Sequence, residues 1–180
     1  MKTKIPAVFF ILCFAVSGFA QMTQAEADKM CNVSAYVIDK DPKGLNVRAK
    51  PDGRSKVIGK IPFNTDGTVV DIIAAEGKWL KIENAKNVDD ETVFSKTGWV
   101  YAPLLAISTM KQDGDGDTVN AYEMPSKGNA VIAKLPAFEE FKLETCFESW
   151  VKIVIPQGKS SIFGWLPLEN QCELAWTNCS

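Results

Sequence analysis

The sequence predicts an all-β protein in which two small barrels follow each other in tandem, after a short N-terminal helix. Two observations lead to this prediction. Short runs of β-branched and aromatic residues are separated by Pro, Gly and Asp residues that favour turns. A block in the first half of the chain also recurs in the second half in the same order. Five or six short strands in each copy are typical of a small closed or nearly closed barrel.

The repeat is clearest when residues 45–62 (LNVRAKPDGRSKVIGKIP) are aligned with residues 119–136 (VNAYEMPSKGNAVIAKLP). Six of the eighteen positions are identical, and the alignment needs no gap. Two later pairs keep the same order, Trp79-Leu-Lys-Ile with Trp150-Val-Lys-Ile and Gly98-Trp-Val with Gly164-Trp-Leu. The repeat predicts two copies of one domain, at 33–107 and at 108–180 with a C-terminal tail.

The chain begins with the pattern of a secretory signal peptide at residues 1–20. Two lysines precede an apolar run at 7–16, and Gly18 and Ala20 stand at the −3 and −1 positions of a cut before Gln21. The alternative is a membrane anchor, but the apolar run is shorter than the roughly 20 residues that cross a bilayer. We therefore expect an exported protein, periplasmic or extracellular, with no membrane span after the leader is removed.

A short helical segment is predicted at residues 21–32, ahead of the first barrel. Thr23 and Glu26 have the spacing of a capping box, in which the threonine caps the helix and the glutamate reaches back to it. This helix is expected to end near Met30.

The strands of the first copy follow from alternation and turn residues. Leu45 and Val47 alternate with Asn46 and Arg48, and the turn Pro51-Asp-Gly follows. Residues 84–95 are predicted to be a polar loop. The strands of both copies are expected at 33–38, 45–48, 57–61, 68–74, 79–83, 98–101, 141–146, 150–155 and 163–166.

Four cysteines remain once the leader, with Cys13, is removed. An even number in an exported chain predicts disulfides. Three pairings are possible, and free buried thiols are the alternative. No two cysteines have the Cys-x-x-Cys spacing, which disfavours a thioredoxin-like redox role. The disulfide candidates are Cys31, Cys146, Cys172 and Cys179.

Charge and composition disfavour several functional classes. Histidine is absent, so the chain alone builds no Ser-His-Asp triad, Cys-His dyad or histidine-ligated zinc site. The formal net charge of -2 lacks the basic excess of a nucleic-acid-binding protein. The acidic pairs Asp89-Asp90 and Glu139-Glu140 are expected to be solvated surface rather than glycosidase carboxylates. We expect no enzyme, no cofactor and no nucleic-acid partner.

The first copy, over nearly all of residues 33–107, resembles the bacterial SH3-like domain, SH3b. The resemblance is carried by GLNVRAKPDGRSKVIGKIP, Trp79-Leu-Lys-Ile and TGWVYAPLL. The second copy, at about 108–176, is a degenerate match. The resemblance implies two SH3-like barrels that recognise cell-wall material or peptides. Such domains usually target a hydrolase, but the two copies and their flanks account for the mature sequence, so we expect no catalytic domain here.

Five residues of the first copy are candidate ligand-binding residues: Asn46, Arg48, Trp79, Trp99 and Tyr101. The first two share a strand face that forms either a groove rim or a solvated surface. The tryptophans either fill the core or line an aromatic groove. Alternation places Trp99 and Tyr101 on one face, so that an inward Trp99 would turn Val100 outward. Tyr101 is the better groove candidate.

The acidic stretch around residue 115 resembles part of a calcium loop. Asp113, Asp115 and Asp117 occupy alternate positions, as the first ligands of such a loop do. The remaining positions fail, since Thr118 replaces the glycine and Met124 the final glutamate. These aspartates are therefore weak calcium candidates, a solvated turn is favoured, and no metal site is predicted.

These observations predict an exported, non-catalytic binding protein whose tandem modules recognise peptidoglycan peptides or another peptide ligand. The alternative is a protein–protein interaction module that acts on an envelope protein as an enzyme inhibitor, immunity factor or scaffold. The degenerate second copy motivates this alternative, because its altered strand and additional cysteines are suited to building a protein interface.

Overall fold

The computed structural model describes residues 29–111 and 117–173, and the all-β prediction is confirmed for them. The regular structure consists of β-strands and two one-turn 3-10 helices, at Ala102–Leu104 and Leu168–Asn170. Neither helix in these ranges is long and apolar enough to cross a membrane. The strands are β1 Lys29–Val37, β2 Leu45–Arg48, β3 Val57–Ile61, β4 Thr68–Glu76, β5 Trp79–Asn87, β6 Thr92–Phe94, β7 Gly98–Tyr101, β8 Leu105–Thr109, β9 Thr118–Tyr122, β10 Val131–Pro136, β11 Glu140–Phe147, β12 Trp150–Gln157, β13 Ser160–Leu166 and β14 Gln171–Cys172.

Two local predictions are wrong. The predicted helical segment 21–32 is not helical at its end, because β1 begins at Lys29 and Met30 pairs with Ala74 of β4. The polar loop expected at 84–95 contains the end of β5 and all of β6, since Phe94 pairs with Ala85 and is itself buried. The signal peptide, residues 21–28, Asp113, Asp115 and Cys179 lie outside the described residues.

The strands form one antiparallel sheet whose order mirrors the repeat. The order is β10-β9-β13-β12-β11-β8-β1-β4-β5-β7-β2-β3, with β14 on β8 and β6 on β5. The first half comprises β1–β7 and the second half β8–β14. On the main path, moving outward from the central β8·β1 pair, counterpart strands of the two halves follow each other in the same order. The main path does not return to its start. The hydrogen-bonded ladder is therefore one open sheet, which does not confirm the two closed or nearly closed barrels expected.

Strand β1 is held by both halves. It pairs with β4 along most of its length and with β8 through Tyr36↔Ala106 and Val37↔Leu105. Near its start, a disulfide joins Cys31 to Cys146 of β11. This bond selects one of the pairings that the cysteine count leaves open. Cys172 is also disulfide-bonded.

The apolar core runs through both halves without interruption. A single cluster of buried side chains contains Leu80 and Val100 from the first half and Leu143 and Leu166 from the second. Each of these four is fully buried, and burying a leucine or valine is worth about 1.5–3 kcal/mol relative to exposure. Because the clusters merge, each half contributes to the stability of the other.

The glycines of the repeated Gly-Trp pairs allow two strands to pass close to their neighbours. A Cβ on Gly98 would lie 2.4 Å from Cγ1 of Val47, and one on Gly164 would lie 2.8 Å from Cβ of Ala121. Val47 and Ala121 are counterparts in the repeat. The close passage lets the following tryptophan of the first half, Trp99, pair with Arg48.

Candidate functional site

A groove of about 400 Å³ opens on the first half, and four of the five predicted ligand-binding residues line it. These four are Asn46 and Arg48 of β2, Trp79 of β5 and Tyr101 of β7. We call this feature the aromatic groove. Its complete lining is Asp39, Leu45, Asn46, Arg48, Gly53, Trp79, Tyr101 and Leu104. That a ligand binds these residues stays a prediction.

Two aromatic rings form one wall of the groove. Trp79 and Tyr101 are directly opposite each other on β5 and β7, and their ring centroids lie 5.5 Å apart at 55°. Trp79 is half-buried and Tyr101 is 38% exposed. Next to this pair, the Ala102 amide donates to the carbonyl of Lys78 at 2.9 Å. Rigid rings such as these offer contact area with little entropy to lose on binding.

The polar wall comes from the alternation of β2. Leu45 and Val47 are buried, while Asn46 and Arg48 are half-buried on the opposite face. The shared face predicted for this polar pair is therefore confirmed. The Arg48 guanidinium donates from Nη1 to the carbonyl of Ser55 at 2.7 Å. This hydrogen bond fixes Arg48 against the loop that joins β2 to β3.

A glycine in that same loop leaves the Trp79 ring accessible. A Cβ on Gly53 would lie 3.9 Å from Cζ2 of Trp79. Gly53 lines the groove, so any larger side chain here would extend over the tryptophan. The Pro51-Asp-Gly turn signal in the sequence places this glycine but does not show what it faces.

Trp99 does not line the groove, and in β7 it is Val100 that faces the core cluster. Val100 is fully buried in the core, so Trp99 and Tyr101 lie on the other face of the strand. Trp99 is only 7% exposed because neighbours cover it, including Lys81, whose Nζ lies 5.7 Å from the ring centroid. Alternation correctly groups Trp99 with Tyr101, but it does not say which face meets the core.

In the second half, side chains of the protein contact one another at the position that corresponds to the aromatic groove. Tyr122 stands where the first half has Arg48, and its ring packs edge-on against Trp150 at 5.8 Å. Lys127 stands where the first half has Gly53, and it forms an ion pair with Glu169. Pro167 replaces Tyr101. The groove residues of the first half are therefore not reproduced.

The ion pair between Lys127 and Glu169 changes the titration of both groups. Burial pushes the pKa of Glu169 upward, but hydrogen bonds from Lys127 and from its own backbone outweigh this effect, and the pKa is lowered. The hydrogen bond to Glu169 raises the pKa of Lys127. Both groups therefore carry their charges at neutral pH.

Sequence reasoning missed Asp39, Leu45 and Leu104 as groove residues. Asp39 follows β1, and Leu104 ends the 3-10 turn after β7, so only the fold brings them beside β2. Alternation places Leu45 on the strand face opposite Asn46 and Arg48, and it is buried, but it also forms part of the groove wall. Of the weak calcium candidates, Asp117 is exposed. Within 29–111 and 117–173, no group of three or more His, Cys, Asp or Glu residues is placed to hold a metal ion.

A comparison with protein-family models matches part of the chain to a known domain. A search of curated proteins finds no match to the chain. A protein-family model described as the bacterial SH3 domain matches residues 43–106. This range begins just before β2 and ends within β8, and it contains every groove residue except Asp39. Residues 43–106 are therefore similar to the bacterial SH3 domain, and the aromatic groove lies almost entirely within the matched range.

Proposed function

We propose that this protein is an exported, non-catalytic binding protein that takes cell-wall peptides into the aromatic groove. The observation that carries the proposal is the convergence of Asn46, Arg48, Trp79 and Tyr101 around one groove inside the bacterial SH3 match. Bacterial SH3 domains commonly bind peptidoglycan or peptides.

The chemistry of the groove fits a stem peptide of peptidoglycan. Arg48 offers a guanidinium for a carboxylate, Asp39 offers a carboxylate for an amine, and Asn46 offers an amide for a peptide group. Trp79 and Tyr101 supply apolar surface for short side chains. A stem peptide presents carboxylates, an amine and amides along one short chain, so each kind of group in the groove has a partner.

The tandem arrangement and the export belong to the same proposal. The mirrored strand order supports two SH3-like units, at 33–107 and 108–180, joined at the β8·β1 pair. The leader pattern and the Cys31–Cys146 disulfide support export to the periplasm or the cell surface, where disulfides persist.

The proposal is tested by co-sedimentation of the protein, purified without residues 1–20, with peptidoglycan sacculi. We expect saturable binding that Tyr101→Ala and Arg48→Ala each weaken about tenfold, because aromatic and arginine anchors dominate such interfaces. The matched control is Tyr122→Ala, which removes a ring at the Arg48 counterpart in the second half. Circular dichroism checks that each variant is folded.

The outcomes separate the two candidate functions. Binding that all three variants leave unchanged would move the site away from the aromatic groove. No sedimentation of the wild-type protein would overturn wall binding and favour the protein–protein alternative. A pull-down from envelope extract that yields one stoichiometric partner would then support an inhibitor, immunity factor or scaffold.

A further inference from the structure

A second cleft, of about 370 Å³, lies where the two halves meet. We call it the junction cleft. Most of its lining comes from the end of β1, the residues that follow it, and the loop between β3 and β4, but Glu140 comes from β11 of the second half. Its charged lining residues are Asp39, Lys40 and Glu140. Asp39 therefore lines both this cleft and the aromatic groove.

Glu140 is held in place by a hydrogen bond across the junction. The buried Tyr36 hydroxyl donates to Oε2 of Glu140 at 2.7 Å and lies 3.4 Å from Oγ of Ser108. Burial and the nearby Glu140 carboxylate raise the pKa of Tyr36, so the phenol stays protonated. Because each carboxylate oxygen accepts more than one hydrogen bond, Glu140 retains accepting capacity toward a ligand.

The sheet fixes the distance between Glu140 and the first half. Glu140 pairs with Ser108 of β8, and β8 pairs with β1 at Tyr36. The Cys31–Cys146 disulfide ties the same two outer strands, β1 and β11, together covalently. The arrangement of Asp39, just beyond β1, and Glu140, at the start of β11, is therefore set before any ligand arrives.

We propose that the aromatic groove and the junction cleft form one track, continuous at Asp39, that takes a single extended peptide. This inference rests on the proposed function and names the orientation of its ligand. The peptide carboxylate lies at Arg48, which lines only the aromatic groove, and an ammonium group lies at Glu140, which lines only the junction cleft. Lys40 also lines the junction cleft, but Asp39 and Glu140 outnumber it, so the cleft favours a cation.

The second half thus takes part in recognition through Glu140 rather than through a groove of its own. Its counterpart of Gly53 is Lys127, which is already paired with Glu169, and its counterpart of Arg48 is Tyr122. Each cleft alone lies near the lower end of the roughly 300–1,000 Å³ range of small-ligand sites. Together they match a short peptide better than either does alone.

The test is calorimetric titration with a lysine-containing stem pentapeptide and with the same peptide acetylated on its amines. We expect Glu140→Gln to weaken binding of the free-amine peptide about tenfold, since it removes a charge-assisted hydrogen bond. The glutamine still accepts from Tyr36, which preserves the fold. Acetylation should weaken wild-type binding by a similar factor and abolish the difference between wild type and Glu140→Gln.

The matched control is Glu139→Gln, which removes the same charge one residue earlier and outside both clefts. It should bind like the wild type, which excludes a general effect of net charge. If Tyr101→Ala weakens binding but Glu140→Gln behaves like Glu139→Gln, the continuous track is overturned and the proposed function stands. If the wild type sediments with sacculi but does not bind the peptide, the track is again overturned. Binding to neither probe overturns the proposed function itself.

Discussion

Gly53 is one of the residues that distinguish the binding surface of the first half from its counterpart in the second. Gly53 leaves the Trp79 ring open, whereas Lys127 at the same place in the repeat pairs with Glu169. Both positions lie in the turn that follows the β2 or β9 strand. A glycine-to-lysine difference in a turn changes no strand, so the fold is retained while the surface over the tryptophan changes.

The ion pair gives the second half a stability that depends on pH. Because the pKa of Glu169 is lowered in the folded protein, its contribution is present above the ordinary value of 4.5 and is lost as the pH falls through the lowered pKa. We expect Lys127→Ala to lower the urea midpoint at pH 7, and this difference from wild type to vanish in acid. Urea titrations monitored by tryptophan fluorescence between pH 7 and pH 3 measure it.

The control for this experiment is Lys159→Ala, which removes an exposed lysine from the turn between β12 and β13. It should leave the midpoint unchanged at every pH. Since both partners of the pair are partly exposed, high salt should also reduce the effect of Lys127→Ala. A difference that persists undiminished at pH 3 would contradict the assigned role of Glu169.

A residue of the site can be predicted from the sequence when the pattern that indicates it lies within a single strand. Asn46 and Arg48 follow from alternation within β2 and Tyr101 from alternation within β7, and the structure brings them together with Trp79. Alternation also pairs Trp99 with Tyr101, but the packing of Val100 into the core decides which side faces out. Asp39 and Glu140 were unpredictable as neighbours, because their proximity requires the sheet that joins the halves.

Among the elements, β7 depends most on one small residue. Gly98 passes so close to Val47 that a Cβ would lie 2.4 Å from its Cγ1 and 2.9 Å from Cδ1 of Ile58. Contacts under 3.0 Å require the backbone or the neighbours to shift. β7 carries Tyr101 to the groove, so its position on β2 sets the geometry of the aromatic wall.

Gly98→Ala is therefore expected to destabilise the protein by about 1–3 kcal/mol, the usual cost of overpacking a filled core. The control is Gly128→Ala, whose Cβ would lie 3.6 Å from the flexible Ser126 hydroxyl and should change stability little. Urea unfolding monitored by circular dichroism compares the two variants. Equal stabilities would show that β7 has room to move off β2.

Strand prediction was most accurate where alternation and turn residues coincide. The strands at 45–48, 57–61 and 98–101 are found with the predicted bounds. The polar run at 84–95 was misread because the edge strand β6 pairs on one side with β5 and buries little beyond Phe94. Composition therefore gives a weak signal there, while the backbone hydrogen bonds to β5 define the strand.

At the scale of the whole molecule, the disulfide between the halves constrains folding. Cys31 and Cys146 are separated by 115 positions in the sequence. Closing so long a loop reduces the entropy of the unfolded chain, and in that model the bond is worth about 3–5 kcal/mol. It acts on both halves at once because it joins β1 to β11.

We expect the double substitution Cys31→Ser with Cys146→Ser to lower the free energy of unfolding by about that amount. Substitution is preferable to reduction, because a reductant would also act on the disulfide of Cys172. Urea unfolding under non-reducing conditions measures the loss. A variant as stable as the wild type would show that the β1·β8 pair and the shared core hold the halves together unaided.

The internal repeat predicted much of the architecture, but not how the copies join. Counterpart strands take counterpart places in the sheet order, as expected for a duplicated unit. The sequence contains no local signal that β1 pairs with β8, because that contact links the edges of two units. The open sheet and the continuous core are consequences of this contact, so they appear only at the level of the whole chain.

The position of the Cys31–Cys146 bond also has a mechanical consequence. In the described residues, two residue pairs form the β1·β8 ladder, and two further backbone hydrogen bonds join β1 to Glu148 of the second half. Tension would break so small a set of hydrogen bonds easily. The disulfide lies in parallel with it, so a load that pulls the halves apart is carried by a covalent bond. Under such a load, the segments that contribute Asp39 and Glu140 to the junction cleft would therefore stay joined.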